Sequence, residues 1–157
     1  MRTYPITPSG YADMKAELRR FIEVERPAII KAIELARAHG DLSENAEYDY
    51  AKDRQGMIEA KIRDLDAKVS MAEVIDPTTL SGDRVMFGAT VRLEDVDTDE
   101  ELVYQLVGTF EADIKAGRIS VEAPIGRALM GKEVDDEVVI NVPKGKRTVV
   151  VTDVAYR

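Results

Sequence analysis

The chain has 157 residues, a length that fits one or two small domains, and a formal net charge of −8, which opposes strong binding to free nucleic acid. It contains no cysteine and one histidine, His39, which excludes disulfides, thiolate metal sites and multi-histidine sites and fits a reducing cytoplasm. It has neither a run of about 18 apolar residues nor a signal-peptide pattern, so we expect a cytoplasmic protein with no membrane partner.

The first long predicted element is a helix that begins at Pro8. Thr7 is of a residue type favoured as an N-cap, and proline is tolerated at the first helical position. An apolar face then follows at spacings of three and four residues, formed by Tyr11, Met14, Leu18 and Phe21. Pro27 interrupts this pattern and predicts a kink. The face resumes with Ile29, Ile30, Ile33 and Ala36. Gly40 offers a left-handed stop, so the helix spans about 30 residues, or roughly 45 Å.

A second predicted helix starts near Ser43 and carries a heptad repeat. Its apolar positions alternate spacings of four and three residues and comprise Ile58, Ile62, Leu65, Val69 and Ala72. Either helix alone would be marginally stable in water, so each needs the other. We therefore predict that residues 1–76 form an antiparallel coiled-coil hairpin with a polar tip.

The predicted turn between the two helices, residues 40–48, is acidic. It reads Gly-Asp-Leu-Ser-Glu-Asn-Ala-Glu-Tyr and places three carboxylates within seven residues, from Asp41 to Glu47. Because a rod as slender as two helices cannot enclose a pocket, chemistry at its tip would be delivered into the site of another protein. A second interpretation stays open, in which Asp41 caps the second helix and Glu44 completes a capping box. Ser43 competes with Asp41 for that cap.

The periodicity changes after Asp76, where Pro77 marks a linker. Four stretches then alternate apolar and polar residues, as half-buried strands do, at residues 90–93, 102–107, 138–142 and 148–154. We expect an acidic hairpin loop at residues 95–101 and a short helix at residues 124–131, opened by proline and closed by glycine. Residues 77–157 are thus predicted to form a mostly antiparallel β domain with one short helix, which makes the fold α+β.

Several blocks of the sequence resemble the Gre family of bacterial transcript cleavage factors. The most specific block is the tip, residues 40–48, with Ala36-Arg37 before it and Ala51-Lys52 after it. Further similar blocks are Val74-Ile75-Asp76, Phe87-Gly88-Ala89-Thr90-Val91, Glu111-Ala112-Asp113-Ile114-Lys115, and Ile119-Ser120-Val121 through Pro124-Ile125. The resemblance therefore covers essentially the whole chain.

This resemblance implies an N-terminal coiled coil and a C-terminal domain similar to the FKBP fold. In the family, the β domain binds the rim of the secondary channel of RNA polymerase, and the coiled coil reaches along that channel to the active centre of a backtracked complex. There it stimulates the polymerase's own Mg²⁺-dependent endonuclease, which releases short 3′ RNA fragments. The resemblance thus implies an accessory factor rather than an enzyme, whose partners are RNA polymerase and the 3′ end of the nascent RNA.

By the same resemblance, the acidic pair that assists metal-dependent cleavage falls on Asp41 and Glu44. Mg²⁺ prefers oxygen ligands, takes only one or two protein carboxylates and keeps several waters. We therefore expect the pair to act as metal ligands only within the polymerase complex, with no metal bound stably by the isolated chain. The family's basic patch near the RNA 3′ end falls on Arg37 and Lys52, for which solvated surface cations are the alternative interpretation.

The polymerase-docking loop of the family falls on the segment that contains Ser120 and Pro124, although core packing explains its apolar residues equally well. For Tyr48 we expect a place in the coiled-coil seam rather than stacking on a base. The sequence departs from the family pattern at Asp49-Tyr50 and at Glu122-Ala123, which bear on cleavage and on docking. Two other functions stay open at this point: an inhibitor that blocks the same channel, and a coiled-coil interaction module without chemistry.

Overall fold

The computed structural model describes residues 2–40, 45–143 and 145–157. By its contacts the chain divides into two compact units, a helical unit (Tyr11–Met71) and a β unit made of Met1–Gly10 and Ala72–Arg157. The helical unit is thus inserted into the sequence of the β unit. The predicted domain bounds of 1–76 and 77–157 stay predictions, because the two units are defined by contacts and one of them combines two separate stretches of the sequence. Among the residues described, no helix is both long and apolar enough to cross a membrane.

The first arm of the hairpin consists of three consecutive helical segments, α1 (Pro8–Arg20), a π-helical turn (Phe21–Glu25) and α2 (Arg26–Arg37). Thr7 caps α1 as predicted, since its Oγ1 accepts a hydrogen bond from the N–H of Gly10 at 3.2 Å. The π turn comes just before Pro27, whose ring would clash with the carbonyl of Glu23 in a regular α-helix. Pro27 therefore interrupts the regular α-helix, as predicted, by way of a widened turn.

The second arm is α3 (Ala46–Met71), which packs against α2. The buried residues of the two helices are Ile29, Ile33, Ala36, Ala51, Ile58, Ile62 and Leu65. Ile30 was expected on the same face but is 43% exposed, because successive residues of a helix point about 100° apart. Arg26 donates two hydrogen bonds to the Glu59 carboxylate, at 2.7 and 2.8 Å, and this contact lowers the pKa of Glu59. The two arms form the predicted antiparallel hairpin.

The β unit contains a small parallel sheet of two strands, β1 (Tyr4–Ile6) and β2 (Ala72–Val74). Tyr4 lies opposite Ala72 in this pair, and Ile6 is fully buried. The sequence analysis predicted neither strand, because three residues are too few to show a period of two. The pairing brings the chain before the helical unit next to the chain that follows it.

The main sheet of the β unit has five strands in the order β5-β4-β3-β7-β6. They are β3 (Ala89–Asp95), β4 (Glu101–Val107), β5 (Arg118–Ser120), β6 (Glu137–Val142) and β7 (Gly145–Tyr156). Only the pairing of β4 with β5 is parallel. The four predicted strands and the mostly antiparallel arrangement are confirmed, whereas β5 was not predicted.

The core of the β unit lies between this sheet and the predicted short helix, α4 (Pro124–Leu129). Its fully buried residues include Val91, Leu93, Leu106, Leu129, Val149 and Val151. Among its described residues, the β unit has single 3₁₀ turns at Pro77–Thr79, Thr109–Glu111 and Ile114–Ala116. These observations confirm an α+β fold with a helical N-terminal region and a C-terminal β-sheet.

The acidic loop predicted for residues 95–101 joins β3 to β4, but its first residue, Asp95, is only 3% exposed. The Asp95 carboxylate accepts hydrogen bonds from the Arg147 guanidinium at 2.6 Å and from the N–H groups of Asp97 and Thr98 at 2.8 and 3.1 Å. Arg147 first, and then these backbone donors, stabilise the charged form and lower the pKa of Asp95 to about 2. Asp95 is therefore a structural residue of the loop rather than part of a solvated acidic face.

Glu111 ties the first residues of the chain to the rest of the β unit. Its side chain is 3% exposed and forms an ion pair with Arg118 at 2.8 Å. The carboxylate also accepts hydrogen bonds from the N–H of Thr7 at 2.8 Å, from the N–H of Gly108 at 2.9 Å and from the Thr7 hydroxyl. These bonds fix the residue that caps α1.

Candidate functional site

The two acidic residues predicted to act in cleavage, Asp41 and Glu44, lie outside the described residues. The structure does describe the chain on either side of them. Gly40 follows α2 with a φ of 100°, a conformation that glycine adopts without strain, so the predicted left-handed stop is confirmed. Asn45 follows Glu44 and precedes α3. The surroundings of the acidic pair are therefore described through the residues on either side of it, which end at Gly40 and resume at Asn45.

Asn45 supplies the N-terminal cap of α3. Its Oδ1 accepts a hydrogen bond from the N–H of Tyr48 at 3.1 Å, as expected for a capping side chain three residues before its donor. The prediction that the second helix starts near Ser43 is thus wrong by about three residues. Since Asn45 holds the capping position, α3 needs no cap from Asp41 or Ser43.

The same Asn45 side chain also bonds to the other arm. Its Nδ2 donates a hydrogen bond to the carbonyl of Ala36, in the last turn of α2, at 2.6 Å. The sequence analysis did not single out this residue. A usable signal was present, because asparagine is among the most favourable capping residues and acidic residues follow it in the first turn of α3.

The two predicted basic residues lie on different arms near the tip, and both are exposed. Arg37 ends α2, and its guanidinium lies 5.9 Å from the centroid of the Tyr48 ring. Lys52 donates a hydrogen bond to Gln55 on its own helix at 3.0 Å. Within the described parts of the chain, neither cation forms an ion pair with a carboxylate. Whether the two act as one patch stays a prediction.

Tyr48 packs against the hydrophobic cluster between the arms, in agreement with the expected place in the seam. His39 is 61% exposed, as expected for a solvated residue at a helix end, and its Nδ1 lies 3.2 Å from a carboxylate oxygen of Glu47. Tyr50, at one of the positions where the sequence departs from the family pattern, is 72% exposed. The described residues next to the tip thus combine an apolar contact between the arms with exposed charged side chains.

The predicted docking residues lie at the two ends of the segment that joins β5 to α4: Ser120 ends β5 and Pro124 begins α4. Ser120 is only 9% exposed; its Oγ accepts a hydrogen bond from the N–H of Glu122 at 3.1 Å and lies 3.1 Å from Oγ1 of Thr109. Pro124, in contrast, is exposed at the first position of α4. Of the two, Pro124 is accessible to a partner, whereas Ser120 holds the segment in shape.

An apolar groove of about 280 Å³ lies beside Pro124. Its lining includes Ala112, Ile114, Ile119, Ala123 and Ile125. Ile114 is 62% exposed, although isoleucine is usually buried. Contiguous exposed apolar patches, rather than single exposed side chains, are typical of surfaces that bind other proteins, and this groove brings several apolar side chains together.

A helical hairpin with an acidic tip sequence, inserted into a small β unit, is typical of a protein that acts through a macromolecular partner. Two family models match the chain: "Transcription elongation factor, N-terminal" over residues 4–74 and "Transcription elongation factor, GreA/GreB, C-term" over residues 80–156. The chain therefore belongs to the GreA/GreB family of transcription elongation factors. The resemblance noted in the sequence is confirmed.

Curated relatives agree with this assignment. The chain is 56% identical over 152 residues to transcription elongation factor GreA of Sphingopyxis alaskensis, covering 97% of this chain and 95% of the relative. It is 52% identical over 157 residues to GreA of Beijerinckia indica, covering 100% of both chains. Among solved structures, GreA factor homolog 1 of Thermus thermophilus is 30% identical with a TM-score of 0.45, covering 98% of this chain and 99% of that one. The GreA/GreB factor of Nitrosomonas europaea is 23% identical with a TM-score of 0.44, covering 98% and 100%.

Proposed function

We propose that this chain enters the secondary channel of bacterial RNA polymerase and stimulates Mg²⁺-dependent endonucleolytic cleavage of the 3′ end of nascent RNA in backtracked complexes. In this function the chain is an accessory factor, and the polymerase supplies the endonuclease. It acts in the cytoplasm, where the polymerase works. Its partners are the rim of the secondary channel and the RNA 3′ end within the complex.

The observation that carries this proposal is family membership over both parts of the chain together with retention of the acidic tip. The family models span the hairpin and the β unit, and relatives named as GreA elongation factors are 52–56% identical over nearly the full length. These names favour an elongation factor over a channel inhibitor or a module without chemistry. From the resemblance of the tip sequence to the family, we propose that Asp41 and Glu44 carry the chemistry.

The chemistry of the tip follows from its oxygen ligands. A Mg²⁺ ion bound at the polymerase active centre would polarise a phosphodiester oxygen and activate a water for attack. Asp41 and Glu44 would each offer carboxylate oxygens to that centre and orient the water. Because two carboxylates fill only part of an octahedral shell, we propose that the isolated chain holds no metal stably.

The exposed cations of the tip fit an RNA partner. Arg37 and Lys52 stand on the two arms that flank the acidic residues, and neither is neutralised by a carboxylate within the described parts of the chain. Cations beside a phosphate chain position a nucleic acid without reading its sequence. We propose that the two residues hold the backbone of the extruded RNA 3′ end beside the acidic pair.

The docking surface is assigned to the segment from Ser120 to Pro124. The exposure of Pro124 and the apolar groove beside it support direct contact with the polymerase. The buried hydrogen bonds of Ser120 support a different role, which is to hold Glu122 and the start of α4 in place.

The test uses stalled, backtracked RNA polymerase complexes with 3′-labelled RNA. The full-length chain is expected to release short 3′ RNA fragments from these complexes, and to cleave nothing when it is mixed with RNA alone. Asp41→Asn and Glu44→Gln are each expected to lower the rate at saturating factor by at least about 10²-fold, because each removes one charged oxygen ligand. Binding to the polymerase, measured by fluorescence anisotropy, is expected to change little.

Asp53→Asn is the matched control for these variants. It removes the same charge from an exposed residue of α3, outside both the acidic pair and the Asp49-Tyr50 departure. This variant is expected to cleave at close to the wild-type rate. The catalytic assignment fails if Asp41→Asn or Glu44→Gln still rescues backtracked complexes as fast as the unmodified chain does.

A further inference from the structure

One side chain connects the two arms on either side of the acidic residues. Asn45 uses its carbonyl oxygen to cap α3 and its amide nitrogen to bond the Ala36 carbonyl of α2, at 3.1 and 2.6 Å. Asparagine is suited to this because one side chain offers both an acceptor and donors. The two bonds fix Asn45 against both helices at once.

The hydrogen bond from Asn45 to Ala36 is more sheltered from water than the ion pair that joins the arms near the tip. Ala36 is 3% exposed, so its carbonyl lies in the sheltered seam where a hydrogen bond competes less with water. The His39–Glu47 pair joins the same arms, but the two side chains are 61% and 71% exposed, and such surface pairs contribute little. Among these contacts, the Asn45 bond is the one placed to hold the arms in a fixed register.

We propose that Asn45 is a positioning residue for RNA cleavage, an inference that rests on the proposed function. Ala36 lies five residues before Asp41, and Asn45 lies one residue after Glu44. The side chain therefore fixes the two ends of the segment that carries both acids. Misplacing a reacting group by 1 Å can cost about 10²-fold in rate, so a loosened segment would lower the cleavage rate without altering the acids themselves.

Asn45→Ser and Asn45→Asp separate this role from helix capping. Serine and aspartate are both good capping residues, so α3 keeps its first turn in either variant. Neither offers the amide donor that reaches the Ala36 carbonyl. Asn45→Ser removes that donor without adding a charge. Ser70→Ala is the matched control, since it removes a side-chain hydrogen bond to the Asp66 carbonyl elsewhere on the same helix.

A first experiment needs no polymerase. The chain has no cysteine, so Leu42→Cys and Arg54→Cys can carry a pair of nitroxide labels in an otherwise unmodified protein. The distance distribution between the labels is expected to broaden in Asn45→Ser and to stay unchanged in Ser70→Ala. An equally narrow distribution in Asn45→Ser would overturn the inference.

A second experiment separates the cleavage rate from binding. In backtracked complexes, Asn45→Ser and Asn45→Asp are expected to lower the maximal cleavage rate about 10-fold or more, while the factor concentration at half-maximal rate changes less than about two-fold. A wild-type maximal rate, or a loss confined to the half-maximal concentration, would overturn the inference. If the unmodified chain stimulates no cleavage, the proposed function fails, and the label distances alone decide whether Asn45 fixes the segment.

Discussion

Two glycine-to-alanine substitutions are expected to have opposite effects on stability. Gly126 lies buried in α4, and a Cβ atom there would collide with the carbonyl oxygen of Ser120 and lie 3.0 Å from its carbonyl carbon. Gly56 lies in the exposed middle of α3, where a Cβ atom would meet no atom within 4 Å. The same added methyl group is therefore opposed at one position and accommodated at the other.

The expected magnitudes follow from these surroundings. Because the obstacle at Gly126 is backbone rather than a flexible side chain, Gly126→Ala should lower the free energy of unfolding of the β unit by about 1–3 kcal/mol. Gly56→Ala should raise that of the helical unit by up to about 1 kcal/mol, since alanine has the higher helix propensity. For a single transition of the whole chain, 1 kcal/mol corresponds to a shift of about 2–4 °C in Tm, and for separate transitions of the two units it corresponds to about 4–8 °C.

Differential scanning calorimetry checks both signs, and it can separate the two units if they unfold in separate transitions. Polymerase binding provides a second measurement, because the collision at Gly126 displaces the segment from Ser120 to Pro124. We expect weaker binding for Gly126→Ala and unchanged binding for Gly56→Ala. A Gly126→Ala chain that unfolds at the wild-type temperature and binds equally well would refute the close packing of α4 on β5.

Two further predictions concern buried carboxylates of the β unit. The folded-state pKa of Asp95 is lowered from 3.8 to about 2, so the stability that its charged form contributes is present above pH 4 and is lost as the pH falls toward 2. The difference in unfolding free energy between wild type and Asp95→Asn, measured by urea unfolding, should therefore shrink over that range. A constant difference would contradict the role of Arg147. Glu111→Ala leaves the N–H groups of Thr7 and Gly108 without their acceptor and should cost about 2–3 kcal/mol in denaturant unfolding, whereas an unchanged midpoint would show that water replaces the carboxylate.

The parts of the fold that were predicted are those in which a long stretch of chain repeats one pattern. The heptad seam of α3 and the alternating residues of β3, β4, β6 and β7 each extend over enough positions to define a period. The strands that were missed, β1, β2 and β5, have three residues each, and β1 and β2 also lie far apart in the sequence, as Tyr4 does from Ala72. Such strands form because tertiary pairing selects them, and no local signal marks them.

In the candidate site, too, a local sequence pattern indicated some features, whereas others depend on contacts between distant parts of the chain. The acidic pair and the basic residues were assigned from the resemblance of a sequence block to the family, and their roles stay predictions. The start of α3 was misplaced because Asp41, Ser43 and Asn45 are all good capping residues. Spacing along the chain could not decide among them. The second hydrogen bond of Asn45, to Ala36, depends on the approach of two helices and is therefore invisible in either helix alone. Likewise, the burial of Ser120 follows from its contact with Thr109 across the β unit.

The parallel pairing of β1 with β2 has a consequence for how the protein is made. During synthesis on the ribosome, residues 4–6 are translated before the helical unit, and their partner strand leaves the exit tunnel only after the whole helical unit has been translated. The pairing of β1 with β2 can therefore form only once both arms have been made.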